Sequence, residues 1–391
     1  MIKKIVKSES LAIGLAMFSM FFGAANVVFP LAIGQYAGDK NFYAMSGLIL
    51  TAVIMPILGV IAMILFDGNY RQFFGRLGKI PGFVLALIII SLLGPLGSTP
   101  RCIALSYITL KSSFPGLTSA SFSAIACGII FLFTIRKNYI LSLLGWVLTP
   151  LLLGSLITII FMGLYTATDT HTISQTSGSM FLHGIREGYN TMDLLAAFFF
   201  SSTILNILRK PVKENDLSND PSTVNNYINT ALKASMVSAV LLTAIYIGFS
   251  YLAAFHGNEL TLTGKDELLV AITMKIAGPH AGILVCVTVA LACLTTAIAL
   301  ISAFTDFVQK ELFKEKVSYE ATLLGALLLT FFISTFEFTG ISRFLSPILQ
   351  ITYPGLIVLT FLNIAYNLKD FTPVKVPVFA AFIVSTYFYF F

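Results

Sequence analysis

The sequence predicts an all-α polytopic membrane protein, built as an inverted repeat of two five-helix units with one further peripheral helix. Hydrophobic residues make up 57% of the chain and charged residues only 11%, whereas soluble domains carry roughly 25% charged residues. Eleven apolar stretches are long enough to cross a bilayer. The first and the sixth contain short polar interruptions that include glycine. Such paired interruptions, five spans apart, are typical of inverted repeats.

The eleven stretches define the predicted spans of a single transporter domain, residues 1–391. They cover residues 9–34, 42–66, 82–105, 119–136, 138–165, 189–208, 230–255, 281–306, 319–336, 343–366 and 375–391. Spans 1–5 form the first unit, residues 8–165, and spans 6–10 form the second, residues 188–366. Residues 375–391 form the peripheral eleventh span. Because five is an odd offset, corresponding helices cross the membrane in opposite directions. Between spans 7 and 8, residues 264–280 predict an amphipathic helix on the outer face.

The basic residues predict the orientation of the chain. With a cytoplasmic N-terminus, 17 of the 24 lysines and arginines fall in cytoplasmic segments and 6 in outer segments, while Arg101 lies within a span. This asymmetry follows the positive-inside rule. The net charge of +6 therefore reflects topology, and we expect no nucleic-acid partner.

The first interruption lies in span 1 and is closed by Pro30. Small residues there could simply let another helix pack closely. Asn26, Pro30 and the second interruption favour an unwound turn, which exposes amides at the positive end of the outer half-helix. These amides could hold a substrate carboxylate without any arginine. The predicted substrate-binding residues here are Gly23, Ala24, Ala25 and Asn26. The carbonyls that end the inner half-helix, those of Ser19 and Phe22, could face a cation.

The second interruption precedes the apolar part of span 6. Its predicted substrate-binding residues are Gly188, Tyr189, Asn190 and Thr191. Asn190 or Thr191 could alternatively cap the helix, and a cap is compatible with binding because the same amides are offered. Asp193 follows, and a carboxylate at the centre of a span costs about 2.5–3.5 kcal/mol. It should therefore have a partner or a function.

Two further sites carry polar chemistry. Arg101 in span 3 should pair with carbonyls or with a carboxylate such as Asp193, and we favour a structural role over substrate contact. In span 8, Thr295 and Thr296 could bond back to their own helix, as membrane threonines commonly do. Opposite a broken span 1, they could instead offer hydroxyl oxygens to Na⁺. Because Phe, Leu, Ile and Val dominate every span, the remaining cavity should suit a small zwitterion with an aliphatic side chain.

At these residues the chain resembles the branched-chain amino acid:cation symporters, the BrnQ-type or LIVCS family. The matching stretches are 21–30, 94–101, 148–150, 187–193 and 291–297. The resemblance implies the amino acid–polyamine–cation superfamily fold and uptake of leucine, isoleucine and valine with Na⁺, with methionine a further candidate. In that superfamily an Ala-x-x-Thr-[Ser/Thr] pattern supplies cation ligands, which here would be Ala292, Thr295 and Thr296. It also implies a bacterial inner (cytoplasmic) membrane. Relatives usually have twelve spans, and we expect transport to survive with eleven.

Other functions remain open at this level. A proton-coupled carrier would use Asp193 as the titrating group, whereas our preferred interpretation makes Asp193 structural or orienting. An intramembrane enzyme is disfavoured, because the chain contains neither HExxH nor GxSxG. A passive channel would not accumulate substrate. We expect no cofactor, Na⁺ as the coupling ion with H⁺ as the alternative, and a small aliphatic amino acid and the lipid bilayer as the partners.

Overall fold

The computed structural model of the chain describes residues 2–111, 116–135, 149–167, 169–213, 221–257 and 263–391. Every regular element within these ranges is helical. Five continuous helical stretches in this part of the chain are long and apolar enough to cross a membrane, and the other apolar helices are shorter. The predicted all-α class is confirmed.

All eleven predicted spans coincide with helices, several of which are interrupted. Span 1 consists of Ile2–Phe21 and Ala24–Ala37, and span 2 of Asn41–Ile49, Leu50–Ile54 and Met55–Leu65. Span 3 consists of Lys79–Leu93 and Ser98–Lys111, span 4 is Ser119–Ile135, and span 5 is Thr149–Tyr165. Spans 6–11 are Ser177–Thr191 with Asp193–Lys213; Pro221–His256; the part of Leu268–Phe307 after Gly278; Tyr319–Ser334; Glu337–Lys369; and Lys375–Phe390. The predicted start of span 5, residues 138–148, lies outside the described residues.

Span 6 begins earlier than the sequence predicts. Its first helix starts at Ser177, where the Thr176 hydroxyl accepts a hydrogen bond from the Ser179 amide at 3.3 Å. The predicted start at residue 189 is therefore wrong. The reason is that Arg186 and Glu187 lower the hydropathy of this outer half, although it continues directly into the break. As a result, Asp193 lies in the middle of a broken span rather than near its end.

The predicted amphipathic helix before span 8 is confirmed, and its position on the outer face stays a prediction. Residues from Leu268 onward are helical, and Gly278 interrupts the helix with a φ of 73° before span 8 begins. Leu268, Leu269 and Ile272 are buried against the bundle, as the amphipathic pattern predicts.

In each five-helix unit, the first helix packs chiefly on the second helix of the other unit. Span 1 packs chiefly on span 7, and span 6 packs chiefly on span 2. Each broken helix therefore lies against the second helix of the other unit, as expected for two units related by a pseudo-two-fold axis. Spans 3 and 8 also pack closely on each other, and span 11 lies against span 10. Spans 1, 3, 6 and 8 consequently surround a common centre.

Glycines allow the helix backbones to approach closely at these contacts between the two units. A Cβ added at Gly34 in span 1 would overlap the carbonyl oxygen of Ser250 in span 7. A Cβ added at Gly184 in span 6 would overlap the carbonyl oxygen of Ala44 in span 2. Small residues let membrane helices approach backbone to backbone, which is where much of their packing energy arises.

Replacing Gly34 with alanine should therefore destabilise the folded bundle. The backbones of spans 1 and 7 would have to separate, and overpacking of this kind typically costs about 1–3 kcal/mol. We expect a lower midpoint of thermal unfolding for detergent-solubilised protein. Gly325→Ala in span 9 is the matched control, because no heavy atom lies within 4 Å of a Cβ added there. Equal midpoints for both variants would contradict the proposed close contact.

The short helix after span 2, Tyr70–Gly75, contacts spans 6 and 8 at one end of the bundle. The Tyr70 hydroxyl donates to Glu311 at 2.6 Å, and the Arg71 Nε lies 2.9 and 2.8 Å from the two oxygens of the same carboxylate. The Tyr70 ring packs on Phe307 and Phe199 at 5.2 and 5.9 Å between ring centroids. Burial and the Glu311 carboxylate raise the pKa of Tyr70 well above its ordinary value.

Candidate functional site

The break in span 1 falls at Phe22 and Gly23, between Ile2–Phe21 and Ala24–Ala37. Gly23 is extended, with φ −122° and ψ −164°, and its amide donates to the Asn26 side-chain oxygen at 3.0 Å. Asn26, in the first turn of the helix that starts at Ala24, thereby satisfies the amide of the N-cap residue Gly23. The predicted unwound turn is present, but one of its backbone amides, that of Gly23, already donates to a side chain of the protein.

The break in span 6 is confined to Met192. This residue adopts the left-handed conformation, with φ 65° and ψ 14°, which costs a residue other than glycine about 1–2 kcal/mol. Residues Gly188 to Thr191, which were expected to form the interruption, are helical. The Leu194 amide beyond the break donates to the Tyr353 hydroxyl of span 10 at 3.2 Å.

A buried polar network joins the two breaks. The Asn26 amide nitrogen donates to Asp193 Oδ2 at 2.7 Å and also contacts the Tyr246 hydroxyl. The Tyr246 hydroxyl donates to the same Asp193 oxygen at 3.2 Å. Asp193 is only 3% exposed. The intramembrane carboxylate thus has two neutral donors as partners, one from span 1 and one from span 7.

Arg101 is buried without a carboxylate partner. It is 1% exposed, and its Nη1 donates to the Asn190 carbonyl at 2.9 Å, while Nη2 contacts the Met192 sulfur at 2.8 Å. Its Nε has no hydrogen-bond partner. Among the residues that the structure describes, Arg101 forms no ion pair within 4.0 Å. Phe29 and Phe338 flank the guanidinium at 5.9 and 5.8 Å. The expected pairing with carbonyls is therefore present, and pairing with Asp193 is not.

The threonines of span 8 have different partners. Thr296 donates to the Phe22 carbonyl at 3.1 Å and lies 3.5 Å from the Ser19 carbonyl, at the end of the inner half of span 1. Thr295 donates to the Ala292 carbonyl of its own helix at 2.7 Å. All five predicted cation-binding residues are therefore close together. Among the described side chains of span 8, only Thr296 makes hydrogen bonds to span 1.

These groups line one narrow, nearly closed cavity with a free volume of about 20 Å³. This is far below the roughly 300–1,000 Å³ typical of small-molecule sites, so a substrate can enter only when the surrounding helices move apart. Its polar lining includes Asn26, Ser98, Arg101, Asp193 and Thr296. Its remaining lining includes Met20, Phe21, Gly23, Ala24, Ala25, Leu93, Cys102, Met192, Ala196, Phe200 and Leu300. The cavity therefore combines opposite charges, neutral oxygens and an aliphatic and aromatic wall.

Several predicted binding residues do not line this cavity. A Cβ added at Gly188 would overlap the Thr51 hydroxyl, so Gly188 serves the contact between spans 6 and 2. Tyr189 stacks on Tyr353 at 4.7 Å and faces a separate groove. Asn190 donates its side-chain amide to Glu187 at 3.1 Å and offers only its carbonyl, to Arg101. Of this group, Thr191 alone lines the cavity.

Sequence reasoning missed two tyrosines of the site. Tyr246 and Tyr353 are fully buried, and each contacts a break through its hydroxyl. Both lie in continuous helices, where a tyrosine resembles any other large apolar residue. A buried hydroxyl needs a partner, but its sequence position does not indicate which one.

This bundle, with two broken helices around a charged cavity, defines a helical membrane transporter. The branched-chain amino acid transport protein family model matches residues 6–389, and the chain belongs to that family. It is 30% identical over 383 residues to the branched-chain amino acid permease BrnQ of Bacillus subtilis, covering 94% of this chain and 84% of that protein. It is 31% identical over 406 residues to the putative branched-chain amino acid carrier protein SAB1263c of Staphylococcus aureus, covering 96% and 86%. The chain is thus a multi-pass branched-chain amino acid transporter.

Solved structures share the fold at low sequence identity. The inward-facing conformation of Mhp1 matches with a TM-score of 0.63 and 11% identity, covering 97% of this chain and 89% of that one. A Na⁺-coupled sialic acid symporter matches with a TM-score of 0.56 and 9% identity, covering 97% and 87%. MhsT in complex with L-phenylalanine matches with a TM-score of 0.55 and 14% identity, covering 97% and 98%. The shared architecture confirms the predicted inverted five-helix repeat.

Proposed function

We propose that this branched-chain amino acid transporter is a Na⁺ symporter that imports leucine, isoleucine and valine by alternating access. The observation that carries the proposal is the contact of Thr296 with the Phe22 and Ser19 carbonyls. These are neutral oxygens from two helices that meet at a break. Such ligands suit a hard monovalent cation that must also leave.

The substrate would occupy the adjoining cavity between the two breaks once the surrounding helices have moved apart. Part of the cavity wall, formed by Leu93, Phe200 and Leu300, is apolar. An aliphatic side chain is favoured there because burial of apolar surface is worth about 25 cal/mol per Å². One methylene changes binding by only about 1–3 kcal/mol. Leucine, isoleucine and valine should therefore all be accepted, and methionine is a further candidate.

Alternating access requires the cavity to open to each side in turn. On the inner side, the contact of Tyr70 and Arg71 with Glu311 joins the ends of the helices around the site. Release of substrate and Na⁺ to the cytoplasm would separate these groups. The 17 to 6 distribution of basic residues supports a cytoplasmic N-terminus.

A proton-coupled carrier is the second candidate, and Asp193 favours it. This carboxylate is buried in the same cavity and is held by Asn26 and Tyr246. Intramembrane carboxylates frequently serve proton relays. In such a carrier, protonation of Asp193 would replace Na⁺ binding at Thr296.

Uptake of labelled leucine into proteoliposomes tests the two candidates. With an inward Na⁺ gradient and equal pH on both sides, we expect accumulation above the external concentration. If a membrane potential of 100 mV, negative inside, is also imposed, each positive charge that enters with the substrate supplies about 2.3 kcal/mol. This corresponds to roughly fortyfold accumulation. A pH gradient without Na⁺ should produce no accumulation. Accumulation driven by the pH gradient alone would replace the Na⁺ proposal with the proton proposal.

A further inference from the structure

We propose that Arg101 binds the carboxylate of the substrate and that Asp193 binds its ammonium group. This assignment deepens the proposed function and rests on it. Arg101 and Asp193 line the same cavity, yet they form no ion pair within 4.0 Å. Two opposite charges that share a cavity without pairing are matched by a ligand that carries both charges on adjacent groups, as an α-amino acid does.

The incomplete set of partners around Arg101 points to an anionic ligand. The guanidinium offers five N–H donors in a planar fork that fits a carboxylate. One donor reaches the Asn190 carbonyl, another reaches only a thioether sulfur, and Nε has no partner. Buried charges are normally paired or fully hydrogen-bonded. The flanking rings of Phe29 and Phe338 hold the guanidinium in position and leave its in-plane donors for a ligand.

The end of the outer half-helix of span 1 does not replace Arg101 in this role. Amides at such an end can hold an anion, but the Gly23 amide already donates to Asn26. The remaining first-turn amides of Ala24 and Ala25 border the cavity and can only assist. In this proposal Arg101 supplies the full positive charge that backbone amides alone were expected to provide.

Asp193 is held in position for the other end of the substrate. Asn26 and Tyr246 both donate to its Oδ2, which fixes the carboxylate at the start of the inner half of span 6. An ammonium group donates hydrogen bonds in three directions, and a carboxylate accepts several. The ammonium can thus bind Asp193 while Asn26 and Tyr246 remain in place.

Competition by analogues that lack one charge tests the assignment on the purified protein. The probes are L-leucine, L-leucinamide, which keeps the ammonium without the carboxylate, and 4-methylpentanoate, which keeps the carboxylate without the ammonium. Each competes against labelled leucine at saturating Na⁺. In the parent protein, we expect both analogues to bind at least about 30-fold more weakly than leucine. If either analogue bound the parent protein as tightly as leucine does, this result alone would overturn the proposal.

Variants should then separate the two charges. Arg101→Gln should weaken leucine and 4-methylpentanoate at least about 30-fold, while leucinamide changes little. Asp193→Asn should weaken leucine and leucinamide and spare 4-methylpentanoate. A merely structural role would instead weaken all three ligands in parallel, and that outcome would overturn the assignment.

Further variants guard against misfolding and nonspecific charge effects. Arg101→Lys retains the charge but loses the fork, so its leucine affinity should fall between those of the parent and Arg101→Gln. Arg186→Gln is the matched control, because Arg186 lies on span 6 and does not line the cavity. It should leave the affinities for all three ligands unchanged. Failure of the parent protein to bind leucine would instead refute the proposed function itself.

Discussion

Replacing Gly23 with leucine should reduce leucine uptake to background while the protein still inserts into the membrane. A Cβ added at Gly23 would lie 3.0 Å from Thr296 Cγ2, so the rest of the side chain would have to enter the cavity between the breaks. It would occupy the space of the substrate and separate Thr296 from the span 1 carbonyls. Labelled leucine uptake into proteoliposomes, normalised to the amount of reconstituted protein, measures the effect.

Gly325→Leu provides a matched control for this prediction. Gly325 is an exposed glycine of span 9, with no heavy atom within 4 Å of an added Cβ. The same substitution there adds an apolar side chain facing away from the bundle, so uptake should be unchanged. Normal uptake by the Gly23 variant would show that the backbone at this break does not border the substrate path.

Removing the hydroxyl of Thr296 should raise the Na⁺ concentration for half-maximal uptake by roughly 10- to 100-fold. The hydroxyl lies against the Phe22 and Ser19 carbonyls, and a hydrogen-bond-class contact to a charged group is worth about 1.5–3 kcal/mol, with 1.4 kcal/mol equal to tenfold. Thr296→Val preserves the shape of the side chain. Leucine affinity at saturating Na⁺ should change much less, because the loss concerns the ion.

Three related variants sharpen this test. Thr296→Ser keeps the hydroxyl and should retain Na⁺ dependence close to that of the parent. Thr288→Val in the same span removes a hydroxyl that donates to its own helix at Leu284, and should have no effect on Na⁺ dependence. Thr295→Ala should have a smaller effect than Thr296→Val, because Thr295 bonds to Ala292 of its own helix. If Thr296→Val leaves Na⁺ dependence unaltered, the ion is not bound at this position.

Features that depend only on a segment's own residues, such as its hydropathy, could be predicted from the sequence. The insertion of a segment into a membrane depends on its own hydropathy, so the all-α class and the positions of the apolar helices in the described part of the chain followed from composition along the chain. The breaks were also found from local signals, namely small and polar residues where lipid favours an unbroken helix. The start of span 6 was predicted wrongly because Arg186 and Glu187 lower the local hydropathy, so the first half of this helix does not look like a membrane span.

The chemistry of the site was predicted by residue type but not by partner. Asp193 and Arg101 were both expected to need compensation, since buried charges are costly. Their partners were not predictable, because Asn26 is 167 residues from Asp193 and the Asn190 carbonyl gives no signal in sequence. The same limitation applied to Thr295 and Thr296, which are neighbours in the chain and have different partners.

The sequence by itself determined that this chain is an all-α membrane bundle with two broken helices, and its basic residues predict the orientation. It determined the candidate residues around those breaks, because their polarity is costly within apolar spans. Only the tertiary structure decided that Gly188 packs on span 2, that Tyr246 and Tyr353 contact the breaks, and that Thr296 faces span 1. The physical reason is that side-chain partners depend on rotation and register between helices distant in sequence. These are set by close packing of the whole bundle rather than by any single segment.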